Sequence, residues 1–495
     1  MLKLKLPKRK AKIICTIGPV SNSYEQIKKL ALAGMDVARL NFSHSSHEEH
    51  AKVIDNIRRV SNEIGKPIGI LQDLQGPKIR IGQVLNNQIE LKDGQEFSIT
   101  TEDVPPTETM VSTTYKDLAK DLSAGDNLLI DDGNIRFRVI ESDGVKIRCT
   151  VTCGGVLKNK KGINVPDLKL STKALTDKDI EDLMFGIAND VEYIALSFVR
   201  EAKDVVELKA LIREKAYKDI PIIAKIEKPQ AVENIDEILA VTDGIMVARG
   251  DLGVEMQIEK MPVIQKMLIK KANEKGILVI TATQMLESMI YNPGPTRAEA
   301  TDVANAIFDG TDAVMLSGET ASGKFPIETA SMMSRIVEEA EASELYENTL
   351  KTIPFSCQNC FPQIIAEMAS NAANRINAKA IISLTSGGTI VKRISKCRPK
   401  CSIISLSPFL KTQQLTSLYW GVFPVLITEQ DVEEINRLSN VTQVLDERIL
   451  ETGVLEKGDK AVVTFGSPMR IMGETNLMKL YRIGMKNNID GVTMD

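Results

Sequence analysis

Two carboxylates, Glu227 and Asp251, stand just after short apolar runs, and Lys225 lies two residues before the first of them. If Lys225 sits on a strand, it shares a face with Glu227, because side chains alternate with a period of two. Such a pair of acids suits Mg²⁺, which is held by one or two carboxylates while water and substrate oxygens complete an octahedron. A cation beside that metal suits a phosphoryl group in transfer, whose charge spreads over its equatorial oxygens. Arg39 and Arg80 add guanidinium forks matched to phosphate. Gly250 permits close backbone approach, and a helix starting there offers N–H groups to an anion.

These residues need a frame that brings them together. Eight apolar runs alternate with amphipathic helical stretches: 13–17, 37–42, 68–74, 193–198, 222–226, 244–248, 278–282 and 313–316. Near-continuous Val/Ile/Leu runs are expected of parallel strands buried on both faces. Eight such units predict a (β/α)8 TIM barrel, whose working residues lie at the C-terminal ends of strands. Six of those ends carry polar groups: 39–44, Asp73 with 75–80, 225–229, 249–253, 281–284 and 317–320. Between Arg80 and about Thr172, short β-type runs alternate with Asp-Gly turns, the texture of an inserted small β-barrel domain after the third strand. A further helix and strand series from about Pro362 predicts a C-terminal open α/β domain. The expected division is a basic arm over 1–9, the barrel over 10–82 and 173–345, the insert over 83–172 and the last domain over 346–495.

The segment Pro221-Ile-Ile-Ala-Lys-Ile-Glu-Lys-Pro-Gln now carries a resemblance. So do Met246-Val-Ala-Arg-Gly-Asp-Leu-Gly-Val-Glu, Ala282-Thr-Gln-Met-Leu-Glu-Ser-Met, and the stretch from Pro295-Thr-Arg-Ala-Glu to Met315-Leu-Ser-Gly-Glu-Thr-Ala. From about Lys10 to the C-terminal domain, the chain resembles the pyruvate kinases. The resemblance implies phosphoryl transfer from phosphoenolpyruvate to ADP, with Mg²⁺ or Mn²⁺ on Glu227 and Asp251. It implies that Lys225 stabilises the phosphoryl in flight and the enolate oxygen, and that Arg39 binds phosphate. Ala248, Arg249, Gly250 and Asp251 would hold the substrate carboxylate. Thr283 would complete that pocket and lie near the carbon that is protonated. Asn41, Ser43, His44, Arg80 and Lys161 would face the nucleotide, with Lys161 on an insert that closes as a lid. A cytoplasmic homotetramer is implied in the same way.

Two departures from the family pattern stand out. Many members have a Thr and a Glu where this chain has Leu74 and Lys78, and those members require K⁺. The exchange removes an oxygen ligand and supplies a fixed cation near Asn41, Ser43 and Asp73, so the expectation is a Lys78 ammonium standing in for K⁺. The turn Thr385-Ser386-Gly387-Gly388-Thr389 before a helix is a candidate phosphate nest. Ile390 and the loop Gly466-Ser467-Pro468-Met469-Arg470 differ from the fructose-1,6-bisphosphate-activated form. A sugar monophosphate or AMP is the expected effector instead.

Composition excludes several classes. A net charge of −4 and 4% aromatics give neither a basic field nor a stacking surface for nucleic acid. Pro7 and alternating lysines make no apolar signal core, and no apolar run is long enough to span a membrane. Seven scattered cysteines fit a reducing compartment. Cys357 and Cys360 form a lone C-x-x-C without further ligands. The run from Gly318 to Phe325 nearly spells a P-loop, but Phe325 replaces the required hydroxyl. His44, His47 and His50 lack the i,i+4 spacing of a zinc helix, and the last two read as a solvated helix start capped by Ser45 or Ser46. The competing functions are a Mg²⁺-dependent oxoacid aldolase, which would lack the Arg39/Arg80 pair and the insert, and an inactive binding protein, which would have lost Lys225, Glu227, Asp251 or Thr283.

Overall fold

The computed structural model describes residues 6, 8–166, 174–216, 219–350, 360–436, 441–466 and 475–484. Eight parallel strands close into a barrel: Lys12–Ile17, Val37–Asn41, Gly69–Asp73, Tyr193–Leu196, Ile222–Ile226, Gly244–Ala248, Leu278–Ala282 and Ala313–Leu316. Each lies beside its chain neighbours, and the last lies beside the first. Two apolar clusters explain the unbroken hydrophobic runs. Ile13 and Cys15 face outward onto helices through Ile27 and Leu30, while Ile14 faces inward with Val37, Leu71, Tyr193 and Met246. With both faces covered, no position is left for a polar alternation.

Side-chain caps fix the loops. Ser46 and Glu49 form a reciprocal capping box that starts the helix His47–Ile64. A second box, Thr176 with Asp179, starts the helix Asp177–Ala188. The same Asp179 carboxylate accepts the Gly76 N–H at 2.9 Å, which ties down the loop after the third barrel strand. Gly76 has φ +68°, and a Cβ there would lie 2.8 Å from the Phe198 ring, so only glycine fits.

The insert is a six-stranded sheet with a two-stranded ladder beside it. The edges of the large sheet are Ile163–Asn164 and Met110–Ser112. Arg80 bridges Gly162 next to one edge, and Ile81 bridges Thr113 next to the other. The chain leaving the barrel thus runs between the two edges and gives the sheet its barrel-like closure. The strands Met110–Ser112 and Ile163–Asn164 were not foreseen, being too short for an apolar pattern to register, nor was Gly155–Lys158, where a glycine and a lysine flank only two apolar residues.

The C-terminal sheet has five strands, ordered Val422–Leu426, Ser402–Ser407, Ala380–Leu384, Lys460–Phe465 and Leu477–Arg482. Only the last pairing is antiparallel. This domain caps the N-terminal mouth of the barrel. The inward-facing barrel residues and Ile390, Ile394, Leu418 and Tyr419 form one continuous cluster. At the junction Asp312 is held by Lys396 at 2.6 Å and Arg398 at 2.9 Å, all three nearly inaccessible. The basic arm is tied to the barrel at Arg9. Its guanidinium meets the Asp36 carboxylate at 2.6 Å and the Ala11 carbonyl at 2.7 Å, because the buried acid needs a cation. Residues 1–5 and 7 lie outside the described set. No described helix is long and apolar enough to cross a membrane.

Candidate active site

Register places Asp73 between Asn41 and Ala195 at the C-terminal rim. From there its carboxylate gathers two cations. Arg39 reaches one oxygen at 2.7 Å, and the Lys225 ammonium lies 3.2 Å from the other. Lys225 also sits 2.9 Å from Glu227, the pairing expected of residues two apart on a strand. Ser197 accepts from the same ammonium at 2.7 Å and donates to the Leu74 carbonyl at 2.6 Å. The second Glu227 oxygen takes the Phe198 N–H at 2.8 Å. Phe198 has φ +55°, an uncommon conformation for a bulky residue. Arg39 donates further to Thr16 at 3.0 Å.

Burial disfavours the charged forms here, and the neighbours oppose it unequally. For Lys225, Asp73 and Glu227 outweigh burial and hold the ammonium above the ordinary lysine range. For Asp73, Lys225 and Arg39 outweigh burial and hold the carboxyl low. For Glu227, burial prevails against Lys225, and the nearby Asp251 charge adds to it, so its pKa is raised. Three acids, Asp73, Glu227 and Asp251, thus face two cations. A dication fits that deficit, and its hard oxygen donors would be Glu227 and Asp251. Substrate oxygens and water would supply the remaining ligands.

The helix Arg249–Glu255 begins directly after the sixth barrel strand, so Gly250 and Asp251 lie in its first turn. The Gly250 N–H meets Thr283 Oγ1 at 2.8 Å. Thr283 and Gln284 have φ +64° and +53°, two consecutive left-handed residues. Arg249 does not aim its side chain at this pocket. It donates to the Thr283 carbonyl at 2.7 Å and the Gln284 carbonyl at 3.1 Å, and it pairs with Asp302 at 2.6 Å. That arrangement fits a positioning residue holding the strained turn. Arg249→Met is expected to lower kcat about 10–100-fold through displacement of Thr283. Arg249→Lys should restore part of it, and steady-state kinetics with a melting curve would separate this from unfolding.

The nucleotide candidates are less tightly assembled. Asn41 Oδ1 accepts the Ser43 N–H at 3.1 Å. Arg80 donates to the Lys160 carbonyl at 3.1 Å, and Lys161 pairs with Asp131 at 2.7 Å inside the insert. Lys78 lines a small pocket with Asp251, Lys228 and Asn164. Among the described residues it makes no ion pair, and the structure places no Lys78 contact on Asn41, Ser43 or Asp73. Leu74 is buried, with its N–H on the Ala195 carbonyl at 3.1 Å. Burial lowers the His44 pKa, and Arg80, Lys78 and Arg39 lower it further. An NMR titration should find it below the ordinary histidine range, and Lys78→Met should raise it; no shift on that substitution would contradict the placement. The insert touches the barrel where Asn164 and Lys228 share the Glu255 carboxylate, at 2.7 and 2.6 Å.

The turn Thr385–Thr389, the candidate phosphate nest, is held by hydrogen bonds. Gly388, at φ +81°, donates to Thr385 Oγ1 at 2.9 Å, Ser386 accepts at its carbonyl from Thr412, and Thr389 opens a helix. Residues Ser467–Arg470 and Cys357 lie outside the described set. Lys324, of the near P-loop, is exposed. The solvated helix start is corrected at His50, which is buried and stacks on Phe42 at 4.1 Å. Its Nε2 lies 3.0 Å from the His44 carbonyl, and the ring covers apolar surface. His47 pairs with Asp182 at 2.7 Å.

Sequence reasoning missed Ser197, Thr16 and the central place of Asp73. A polar residue closing the fourth strand was the available signal for Ser197.

Residues 8–330 match the family model described as pyruvate kinase, barrel domain, and residues 363–481 match pyruvate kinase, alpha/beta domain. The chain is 44% identical over 478 residues to a pyruvate kinase of Staphylococcus haemolyticus, spanning 96% of this chain and 81% of that one. It is 44% identical over 483 residues to one of Clostridium perfringens, spanning 96% and 100%. The crystal structure of a pyruvate kinase from Cryptosporidium parvum aligns with TM-score 0.87 and 39% identity over 96% of each chain.

Proposed function

The chain belongs to the pyruvate kinase family and is an enzyme of that activity, and from that premise we propose which residues carry the transfer and how the chain departs from the family pattern. The family's reaction uses Mg²⁺ and moves a phosphoryl group from phosphoenolpyruvate to ADP. The ester P–O bond breaks, an ADP oxygen bonds to phosphorus, and the released enolate takes a proton at carbon to give pyruvate. The observation that supports the assignment most is the Lys225 ammonium, 2.9 Å from Glu227 and 3.2 Å from Asp73.

Lys225 faces the phosphoryl oxygens and then the enolate oxygen, where its fixed positive charge stabilises what develops in the transition state. Arg39, braced by Asp73, holds the phosphate. The Gly250 and Asp251 amides, with Thr283, hold the substrate carboxylate next to Ala248, and Thr283 orients the proton donor. Glu227 and Asp251 hold the divalent ion, which supplies charge neutralisation to the substrate oxygens when bound. Asn41, Ser43, His44, Arg80 and Lys161 contact the nucleotide, Lys161 leaving Asp131 as the insert closes. Closure excludes water and so suppresses hydrolysis. The division at 10–82 with 173–345, 83–172 and 346–495, a homotetramer, a cytoplasmic location and a phosphorylated effector at Thr385–Thr389 complete the reading.

Lys78 and Leu74 make the enzyme independent of K⁺. The support is the fixed cation in place of an acid and the apolar Leu74 side chain at the rim. In potassium-free buffer with tetramethylammonium, wild type should keep its rate, and Leu74→Thr with Lys78→Glu should become K⁺-activated. Loss of wild-type activity that K⁺ restores would overturn this part and leave the transfer residues untouched.

A further inference from the structure

The turn 42–46 follows the second barrel strand and carries Ser43 and His44, two of the nucleotide candidates. Little within it fixes its shape. The Ser43 N–H reaches Asn41 Oδ1 at 3.1 Å, and the His44 N–H reaches the Asn41 carbonyl at 3.2 Å. Ser45 has φ +68°, a conformation uncommon for any residue but glycine. Such a turn needs fastening from neighbouring elements if its side chains are to meet a ligand in one geometry.

Two fastenings come from the Asp73 carbonyl, on the Phe42 N–H, and from His50, on the His44 carbonyl. The others converge on one buried acid. Asp182, on the helix Asp177–Ala188, is 2% exposed. One of its oxygens meets His47 Nε2 at 2.7 Å, and the other takes the Lys178 ammonium. Lys178 in turn donates to the Phe42 carbonyl at 2.8 Å. Lys178 and Asp182 are four residues apart, so they lie on one face of their helix. Phe42 and His47 also pack against Phe185 of that helix, with ring centroids 5.8 and 4.5 Å away. Both ends of the turn are thus fastened to one helix. The acid itself cannot drift, because its carbonyl accepts from Gln72 at 2.6 Å, on the third barrel strand.

We infer that Asp182 is a positioning residue for the nucleotide: through Lys178 and His47 it holds the turn 42–46 in the shape that presents Ser43 and His44. It touches no substrate, and the inference rests on the assignment of those two residues to the nucleotide. Lys178 alone is an exposed, flexible cation, and the carboxylate is what aims it at the Phe42 carbonyl. The effect is confined to one substrate. Arg39, Asp73, Lys225 and Glu227 brace one another by bonds in which the Asp182 side chain takes no part.

Steady-state kinetics of the full chain, with each substrate varied in turn, tests it. Asp182→Asn keeps the size of the side chain and removes its charge. It should lower kcat/KM for ADP at least about tenfold and leave kcat/KM for phosphoenolpyruvate, at saturating ADP, within about twofold. Lys178→Met, at an exposed position, should show the same split and serves should Asp182→Asn fail to fold. Lys178→Arg, which keeps a donor and a charge, should restore most of the loss. His44→Ala reports on the nucleotide assignment alone. A loss for ADP in His44→Ala with none in Asp182→Asn or Lys178→Met overturns the positioning role and leaves that assignment standing. No loss for ADP in any of the three overturns both. Equal losses for the two substrates make Asp182 a general support of the fold and overturn the role as well.

Discussion

Lys225→Met is expected to lower kcat by about 10³-fold, the top of the range for removing one preorganised transition-state donor. The side chain is of similar length, so the loss is of charge rather than of shape. The same change strips Asp73 and Glu227 of the cation that both face. Removing one partner of a buried pair costs about 3–5 kcal/mol in stability. A lower melting temperature is therefore expected alongside the kinetic loss. Rates must be taken well below that temperature, on protein shown to be folded by circular dichroism. A folded variant with kcat within tenfold of wild type would remove Lys225 from its assigned role.

Glu227→Gln should act on the metal. It keeps the Phe198 N–H bond within reach and removes one of two carboxylate donors. Mutating even an outer partner of a metal typically costs about 10–100-fold in affinity or activity, so loss of a donor's charge should weaken the divalent ion at least about 100-fold. Electron paramagnetic resonance with Mn²⁺ reads this without any turnover, in the presence and absence of phosphoenolpyruvate. Turnover should fall with it and recover partly at high metal concentration. Unchanged Mn²⁺ affinity would move the metal away from Glu227.

Several parts of this arrangement were legible because they are local. The strand Ile222–Ile226 reads as an unbroken apolar run since both its faces are covered, and Lys225 with Glu227 follows from its period of two. Ser46 and Glu49 announce a helix start by chemistry alone. What was not legible depends on register and on distant partners. Asp73 becomes the centre of the site only because Asn41 and Ala195 flank it. Ser197 enters because the Lys225 side chain crosses to a neighbouring strand. The guanidinium of Arg249 sits in a substrate-like motif, yet Asp302, fifty-three residues away, turns it to the back of the Thr283 turn. The sheet of the insert closes through Arg80 and Ile81, two residues whose local pattern resembles a loop. His50 looks polar in a helix start, but its ring has apolar surface to bury against Phe42. The edge strand Leu477–Arg482 mixes exposed Leu and Met with Lys and Arg, so no clean alternation marks it.

The most direct measurement is a ³¹P NMR time course of the full chain with phosphoenolpyruvate, ADP and Mg²⁺, run beside Glu227→Gln and Lys225→Met. The account predicts that the ester signal falls as the γ-phosphate of ATP rises in equal amount, that chelating the metal stops it, and that both variants lose it. Release of inorganic phosphate in place of ATP, or transfer that survives chelation and both substitutions, would contradict it.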